Sequence, residues 1–523
     1  MSDGPGFDTP TEIADLDYAR DLGDPGAYPF TRGQAPSRRG GRSWVHRELS
    51  GEGSPARSNE QLRHLLEHGA VGLDVIGDAP TVGLFDPDHP YARHSVGTQG
   101  VSICRLDDFA QLYDGIDLAN VSISHSLPAA FTVAGLYLTA RRRSIDPALL
   151  RGSVINAPFF MEDYGYATLL PFEMRLRMAL DTIEFATREM PRFHPFVEDT
   201  YFISDGGPGP VDEMALGFVE LREVVRSLIA RGLHVDEFAP RFVILVNCRM
   251  EVFTEIAKIR ATRRMYARMM REEFGARDPR SWSATITVHT SGASMTAQQP
   301  VNNVARGAVQ AFAMAAAGVK AMEISAFDEA LRTPSPEAHM VGLRTQQIIE
   351  LETDVQASAD PLGGSYYVER LTNQMEQEIS ARIREFESAG PPVQLFETGY
   401  YRSIFTAAME RHGREIADGD RPHVGVNCFS IPHEDDVLLR EASESKILPD
   451  HAHADAIARW RGTRDQGRVG AALDRLGQDA ADAGSLMPAI LDGLEAEATI
   501  GEMAGAIRRG AGLPEDPLLG TPR

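Results

Sequence analysis

The segment "RFVILVNCRMEVFTEIAKIRATRRMYARMMREEFG" (residues 241–275) changes its period halfway along. Its first eight residues form a nearly unbroken β-branched and apolar run, the pattern of a strand buried on both faces. From residue 250 onward, Val252, Ile256, Ile259, Tyr266, Met270 and Phe274 recur at helical spacing, Arg263 interrupts the stripe, and Gly275 offers a C-terminal stop. A second short run, "ATITVHT" (284–290), follows. Strand, long helix and strand in succession predict a parallel crossover, because parallel strands need a connection of that length.

The same alternation extends in both directions. Strands are expected at 43–49, 70–78, 120–126, 152–158, 196–204, 241–248, 284–290 and 319–327, with helical patterns between them. Eight such repeats predict an α/β fold, a (β/α)8 TIM barrel with its active site at the strand C-termini. Residues 1–42, rich in Gly, Pro, Asp and Arg, are expected to form an extended N-terminal arm lying on another surface, residues 43–387 the barrel, and residues 388–523 a mainly helical C-terminal region. One further strand is expected in that last region, at "HVGVNCF" (423–429).

Composition narrows the function. A 523-residue chain with 43% hydrophobic residues can bury a large core, and its formal charge of −23 argues against a nucleic-acid partner. The start lacks a charged region followed by an apolar core, and no apolar run is long enough to span a bilayer, so a cytoplasmic location with no membrane partner is expected. Cys104, Cys248 and Cys428 are far apart and odd in number, which suits buried thiols better than a disulfide framework or a zinc site.

The expected strand ends carry His46, Asp78, His125, Asn156, Asp205, Asn247, His289, Glu323 and Ser325. Histidines and an aspartate in such a ring suit a metal, although no HxH pair is present and lone histidines at strand ends also serve as hydrogen-bonding supports.

More specific are "PGAYPFTRG" (25–33), "EIAKIRATRR" (255–264), "TAQQPVNNVARGAVQAFAMAAAG" (296–318), "FDEAL" (327–331), "RTQQII" (344–349) and "DPLGGSYYVERLT" (360–372), ending with "EATIGEMAGAIR" (497–508). In this order and spacing the chain resembles the large subunit of coenzyme-B12-dependent acyl-CoA mutases, the methylmalonyl-CoA and isobutyryl-CoA mutase family. The resemblance implies a barrel threaded by the pantetheine arm of an acyl-CoA, with adenosylcobalamin at the C-terminal mouth supplying radical chemistry for a carbon-skeleton rearrangement. The B12-binding flavodoxin-like domain with its DxHxxG motif is not on this chain, so the resemblance implies a separate small B12-binding subunit, and a homodimer of barrels or a heterotetramer.

Carried over position by position, Arg177 falls at the arginine that pairs a substrate carboxylate, and Arg47 and Arg260 at arginines near the acyl-CoA. Each could equally be a structural or surface arginine. Asp205, Gly292, Glu329 and Ala330 fall at positions near the corrin or adenosyl group, with Asp205 where the family has Glu. The chain departs from the family at Phe202, which replaces a histidine that hydrogen-bonds the thioester carbonyl, at Leu49 (Tyr or Phe), at Ile155 (Gln), at Pro128, and in the arm at Ala35, Pro36 and Ser37. Two readings follow: a pocket remodelled for a different acyl group, with His125 and His289 supplying hydrogen bonds beside Asp205, or a non-catalytic barrel kept for assembly. A B12-independent barrel enzyme using the histidines with a metal is a third.

Overall fold

The computed structural model describes residues 7–35, 44–160, 170–444 and 447–518. Nine parallel strands form one sheet: β1 (Val45–His46), β2 (Leu49–Ser50), β3 (Gly72–Ile76), β4 (Ser122–Ser126), β5 (Arg151–Ile155), β6 (Phe193–Asp199), β7 (Phe242–Cys248), β8 (Thr285–Thr290) and β9 (Ala321–Glu323). Their order is β1-β9-β8-β7-β6-β5-β4-β3-β2. Helices connect successive strands from β2 onward, so the chain is an α/β fold of the TIM-barrel type with a mainly helical C-terminal region. Nine strands replace the expected eight because the run at 43–49 is interrupted at Arg47 and Glu48: its first half pairs with β9 and its second with β3.

Two other expectations change. The run 196–204 is not all strand. β6 ends at Asp199, whose carboxylate accepts a hydrogen bond from the Phe202 amide and caps a one-turn helix, Thr200–Asp205. The expected strand at 423–429 is reduced to a single bridge between Val424 and Cys428. The helix after β7 runs Val252–Arg268, continues as a turn of π-helix, Met269–Glu273, and Gly275 follows with a positive φ of 67°. Arg263, which broke its apolar stripe, is buried and donates to the Ala317 and Gly318 carbonyls, both at 2.7 Å, so it caps the C-terminus of helix Asn302–Ala317. Cys104 and Cys248 are buried as expected, and Cys428 is partly so.

The chain divides into two compact units. The first comprises residues 1–47, 198–331 and 337–444, and holds β1, β7, β8, β9 and the last two residues of β6. In it the described part of the arm is not uniformly extended. It contains short turns at Pro10–Ile13 and Tyr18–Leu22 and lies against its own chain, where the Asp21 carbonyl and carboxylate meet Arg264 and Arg268, Arg32 pairs with Asp360, and Asp8 pairs with Arg370. Pro36 and Ser37 lie outside the described residues. The second unit comprises residues 48–197, 332–336 and 445–523, and holds β2 to β5, most of β6 and the last helices, His451–Arg461, Gln466–Ala481, Met487–Glu495 and Ile500–Gly510.

In the second unit β4 and β5 approach so closely that Gly152, at φ 133°, leaves no room for a side chain: a Cβ there would stand 1.8 Å from the Ile123 carbonyl oxygen. Gly152→Ala is expected to destabilise the protein by roughly 3 kcal/mol or more, read as a fall in the thermal unfolding midpoint. A midpoint within a degree of the parent would show that this approach is not rigid.

Candidate functional site

In the first unit, the ends of β7, β8 and β9 and the turn after β6 bring together Asn247, His289, Glu323, Ser325, Tyr201 and Asp205. The bottom of this arrangement is a buried ion cluster. Lys258 Nζ sits 2.8 Å from Glu213 Oε2 and 2.6 Å from Glu255 Oε2, all three fully enclosed, and donates to the Asn247 carbonyl at 2.8 Å. Glu213 Oε1 accepts from the Asn247 amide at 3.3 Å and from Thr200 Oγ1 at 3.2 Å. Burial alone would push the lysine pKa down, but the two carboxylates raise it above its ordinary value, so the ammonium stays charged. One cluster thereby fixes the end of β7 and the first residue of the helical turn that follows β6.

Above it, Asn247 Nδ2 donates to Asp205 Oδ1 at 2.6 Å, Ser291 Oγ to the same oxygen at 2.9 Å, and the Ala293 amide to Oδ2 at 3.2 Å. Three donors hold this carboxylate in one orientation. Next to it Gly292 forms a cradle: a Cβ would stand 3.0 Å from Glu329 Oε1, 3.1 Å from Tyr201 Oη and 3.2 Å from Asp205 Oδ2. Burial, reinforced by the charge on Asp205, pushes the Glu329 pKa up to about 7, although the Ala326 amide donates to Oε2 at 2.9 Å. Glu329 is therefore partly protonated near neutrality and can donate as well as accept. Ala330 follows it on the surface.

His289 stacks flat on Tyr201, with ring centroids 4.5 Å apart and planes 7° from parallel, and its Nε2 lies 3.2 Å from Ser325 Oγ. Phe202, half-buried, packs against Tyr201 at 5.5 Å. It therefore lies beside the stack, at the tip of the turn that Asp199 caps.

The other expected site residues have their own partners. Arg47 forms an ion pair with Glu323 at 3.2 Å, both buried, and His46 lies 2.9 Å from Glu350. Arg260 is almost fully enclosed; it pairs with Asp360 and with both oxygens of Glu369, at 2.6 and 2.7 Å. In the second unit, Arg177 donates to the carbonyls of Asp479, Ala480 and Gly484, capping helix Gln466–Ala481. His125 is fully buried: its Nε2 lies 2.6 Å from Tyr113 Oη and its Nδ1 2.8 Å from the Ser153 carbonyl. It projects from β4 on the face opposite Ser122, Ser124 and Ser126, by simple alternation. Leu49 is at the start of β2, while Ile155, at the end of β5, lines a cavity of about 100 Å³ with Pro128, Phe131, Leu170 and Met178. Among the described residues no group of three His, Cys, Asp or Glu side chains is placed to hold a metal ion.

The strands also show a pattern of size. Ser122, Ser124 and Ser126 of β4 share a face with Ser153 of β5, whose Oγ donates to Ser124 Oγ at 3.0 Å. On β8 and β9 the corresponding phase reads Thr285, Thr287 and His289 beside Ala321 and Glu323 in register. On this face of β4 and β5 small hydroxyl side chains replace the bulky residues that ordinarily fill a TIM barrel, beside Asp74 of β3.

Fold and site together define a barrel-type α/β protein whose polar groups gather at the strand C-termini and whose β4 and β5 carry a face of serines. A family model described as methylmalonyl-CoA mutase matches residues 7–513. The chain is 34% identical over 507 residues to the 2-hydroxyisobutanoyl-CoA mutase large subunit of Aquincola tertiaricarbonis, covering 96% of this chain and 89% of that protein. It is 32% identical over 505 residues to the methylmalonyl-CoA mutase of Cereibacter sphaeroides, with 96% and 70% covered, and 31% over 499 residues to that of Escherichia coli, with 94% and 69% covered. The chain belongs to the methylmalonyl-CoA mutase family.

Sequence reasoning named Asp205, Gly292, Glu329 and His289, which the structure places in one cluster, but missed Tyr201 and the Lys258 support. An acid and a base three residues apart, Glu255 and Lys258, beside the apolar stripe were the available signal for the latter.

Because the Glu329 pKa is raised above the ordinary carboxylate value of 4.5, its contribution to stability is fully present below that value and is lost as pH rises through about 7. Thermal unfolding of the parent, measured across this range, is expected to weaken with rising pH relative to Glu329→Gln, which lacks that slope. Parallel profiles would contradict the enclosed carboxyl.

Proposed function

We propose that this chain is the large subunit of an adenosylcobalamin-dependent acyl-CoA mutase that rearranges the carbon skeleton of a neutral, branched acyl thioester. The serine face of β4 and β5 carries this reading: Ser122, Ser124, Ser126 and Ser153 leave space beside those strands for a slender arm such as pantetheine, with hydroxyls to meet its amides. Membership in a cobalamin-dependent family supports the cofactor, and a relative that is itself a large subunit supports a separate B12-binding partner. We place the assembly, a homodimer of barrels or a heterotetramer with that partner, in the cytoplasm.

The residues at the cradle fit the cofactor. Gly292 would give the backbone clearance for close approach of the cofactor, Asp205 would offer a fixed acceptor, and Glu329 a carboxyl able to accept from or donate to a hydroxyl. Bound adenosylcobalamin supplies the hydrogen-abstracting radical chemistry. The chain's own part is orientation and exclusion of water. The Tyr201 and His289 stack forms a rigid wall, and the Phe202 ring adds apolar surface where a hydrogen-bond donor would otherwise polarise the thioester carbonyl. Loss of one such donor costs about 2.7–4 kcal/mol of barrier, which slows a reaction without abolishing it.

The acyl group is assigned as uncarboxylated because the three arginines that the family resemblance brings near the acyl-CoA, Arg177 at the carboxylate-pairing position among them, are engaged. Arg177 serves helix carbonyls, Arg47 is neutralised by Glu323, and Arg260 by Asp360 and Glu369. The 2-hydroxyisobutanoyl-CoA mutase relative supports a branched, uncharged group.

With adenosylcobalamin and a B12-binding subunit, mass spectrometry of a panel of branched, hydroxylated, linear and carboxylated acyl-CoAs is expected to show isomerisation of branched uncharged members and at least about tenfold lower kcat/KM for carboxylated ones. Preference for a carboxylated thioester would overturn the substrate assignment. Complex formation without turnover of any member would favour a structural barrel.

A further inference from the structure

The first unit holds a second cavity, of about 670 Å³, that extends from Asp205 and Ser291 to helix Asn302–Ala317 and the segment 412–424. Arg249, Arg306, Arg421, His412 and His423 line it, with Val309 and Val424 as part of its apolar wall. The arginines are not equivalent. Arg421 forms an ion pair with Glu251.

Arg249 is held instead by neutral acceptors, Ser204 Oγ at 3.1 Å, the Pro208 carbonyl at 2.6 Å and the carbonyls of Ser204 and Gly207. Arg306 is held by Asn303 Oδ1 and the Val424 carbonyl, both at 2.7 Å, and by Thr296 Oγ1 at 2.9 Å. Neither has a carboxylate partner among the described residues. Burial accordingly holds Arg306 below the usual arginine range with no acid to offset it. Two carboxylates also line the cavity: Glu251 is paired with Arg421, and Asp205 is oriented by neutral donors, the Asn247 side chain, Ser291 and the Ala293 amide, so Arg249 and Arg306 outnumber the one unpaired acid among the described lining residues. Burial, with nearby arginines, also lowers the pKa of His412, and burial that of His423, so both rings are neutral near pH 7.

Two guanidinium groups are thus pre-oriented by neutral groups and retain their charge in a partly enclosed space, within a chain whose net charge is −23. Such forks match the oxygens of a phosphate, and a cavity of this volume, part apolar and part polar, suits a small molecule. We propose that this cavity binds a phosphorylated small molecule, with its phosphate taken by Arg249 and Arg306 and its uncharged body against Val309 and Val424. The site borders the Gly292 cradle and shares Asp205 with it, but its phosphate-binding arginines are not part of the cradle, and the proposal does not depend on the mutase reading.

The test is calorimetric titration of the full chain with adenosine 5′-monophosphate, with inorganic pyrophosphate, and with adenosine as the uncharged control, at fixed ionic strength. Both phosphates are expected to bind, adenosine at least about tenfold more weakly than its monophosphate, and Arg306→Gln and Arg249→Gln each to weaken the phosphates by about tenfold or more. Arg192→Gln, on the exposed surface, should leave binding unchanged. Should either glutamine variant fail to fold, Arg306→Lys, which keeps the charge but loses the fork, is expected to bind with intermediate affinity. Absence of binding by both phosphates at millimolar concentration, equal affinity for adenosine and its monophosphate, or undiminished binding in the arginine variants would each overturn the proposal.

Discussion

The site depends on one buried ammonium. Lys258 is enclosed with Glu213 and Glu255 beneath the strand ends, and an unpaired charge there would be costly enough that the three side chains have little freedom to separate. The cluster holds the Asn247 backbone from both sides and, through Thr200, the start of the turn that carries Tyr201, Phe202 and Asp205. Asn247 then reaches Asp205 directly. Positions set by an ion cluster in the protein interior are thereby transmitted, through two short backbone segments, to a carboxylate facing the cavity.

This arrangement bears on how far the site tolerates change. The Phe202 amide is tied to Asp199, so the turn keeps its shape whatever side chain stands at 202, and Asp205 keeps its three hydrogen bonds. On the proposed reading, an apolar ring at this position alters the chemistry offered to a thioester carbonyl without loosening the frame around it. Arg47 and Glu323 make a comparable point, because their mutual neutralisation leaves a polar but uncharged lining near β1 and β9. The lining at these two places is suited to an acyl group without a free carboxylate.

Much of the fold was legible because parallel strands buried on both faces have to be written as apolar runs, and "RFVILVNC" and "ATITVHT" lie within a residue of β7 and β8. Where hydrogen bonding overrides alternation, legibility failed. Asp199 to Ser204 alternate like a strand, but the Asp199 side chain caps a helical turn. His125 was placed in the mouth from its position near a strand end, whereas its phase, opposite three serines, turns it toward Tyr113. Arg260 and Arg177 could not be assigned from sequence, since their partners lie roughly a hundred or three hundred residues away and only the folded chain brings them together. Glu329, by contrast, lies within the family motif at 327–331 and Gly292 four residues before the long motif at 296–318, and they meet at the cradle.

The central claim is that this barrel, with Phe202 in place of a donor, still supports cobalamin radical chemistry. The most direct measurement is stopped-flow absorbance of the complex with adenosylcobalamin and a B12-binding subunit, mixed with a branched uncharged acyl-CoA. Cleavage of the cobalt–carbon bond that requires the acyl-CoA, and that is lost in Gly292→Val, where the added side chain fills the cradle, is the predicted result. A cobalt–carbon bond that stays intact with every acyl-CoA, in a complex that nevertheless forms, would contradict the account and leave the chain as an assembly partner.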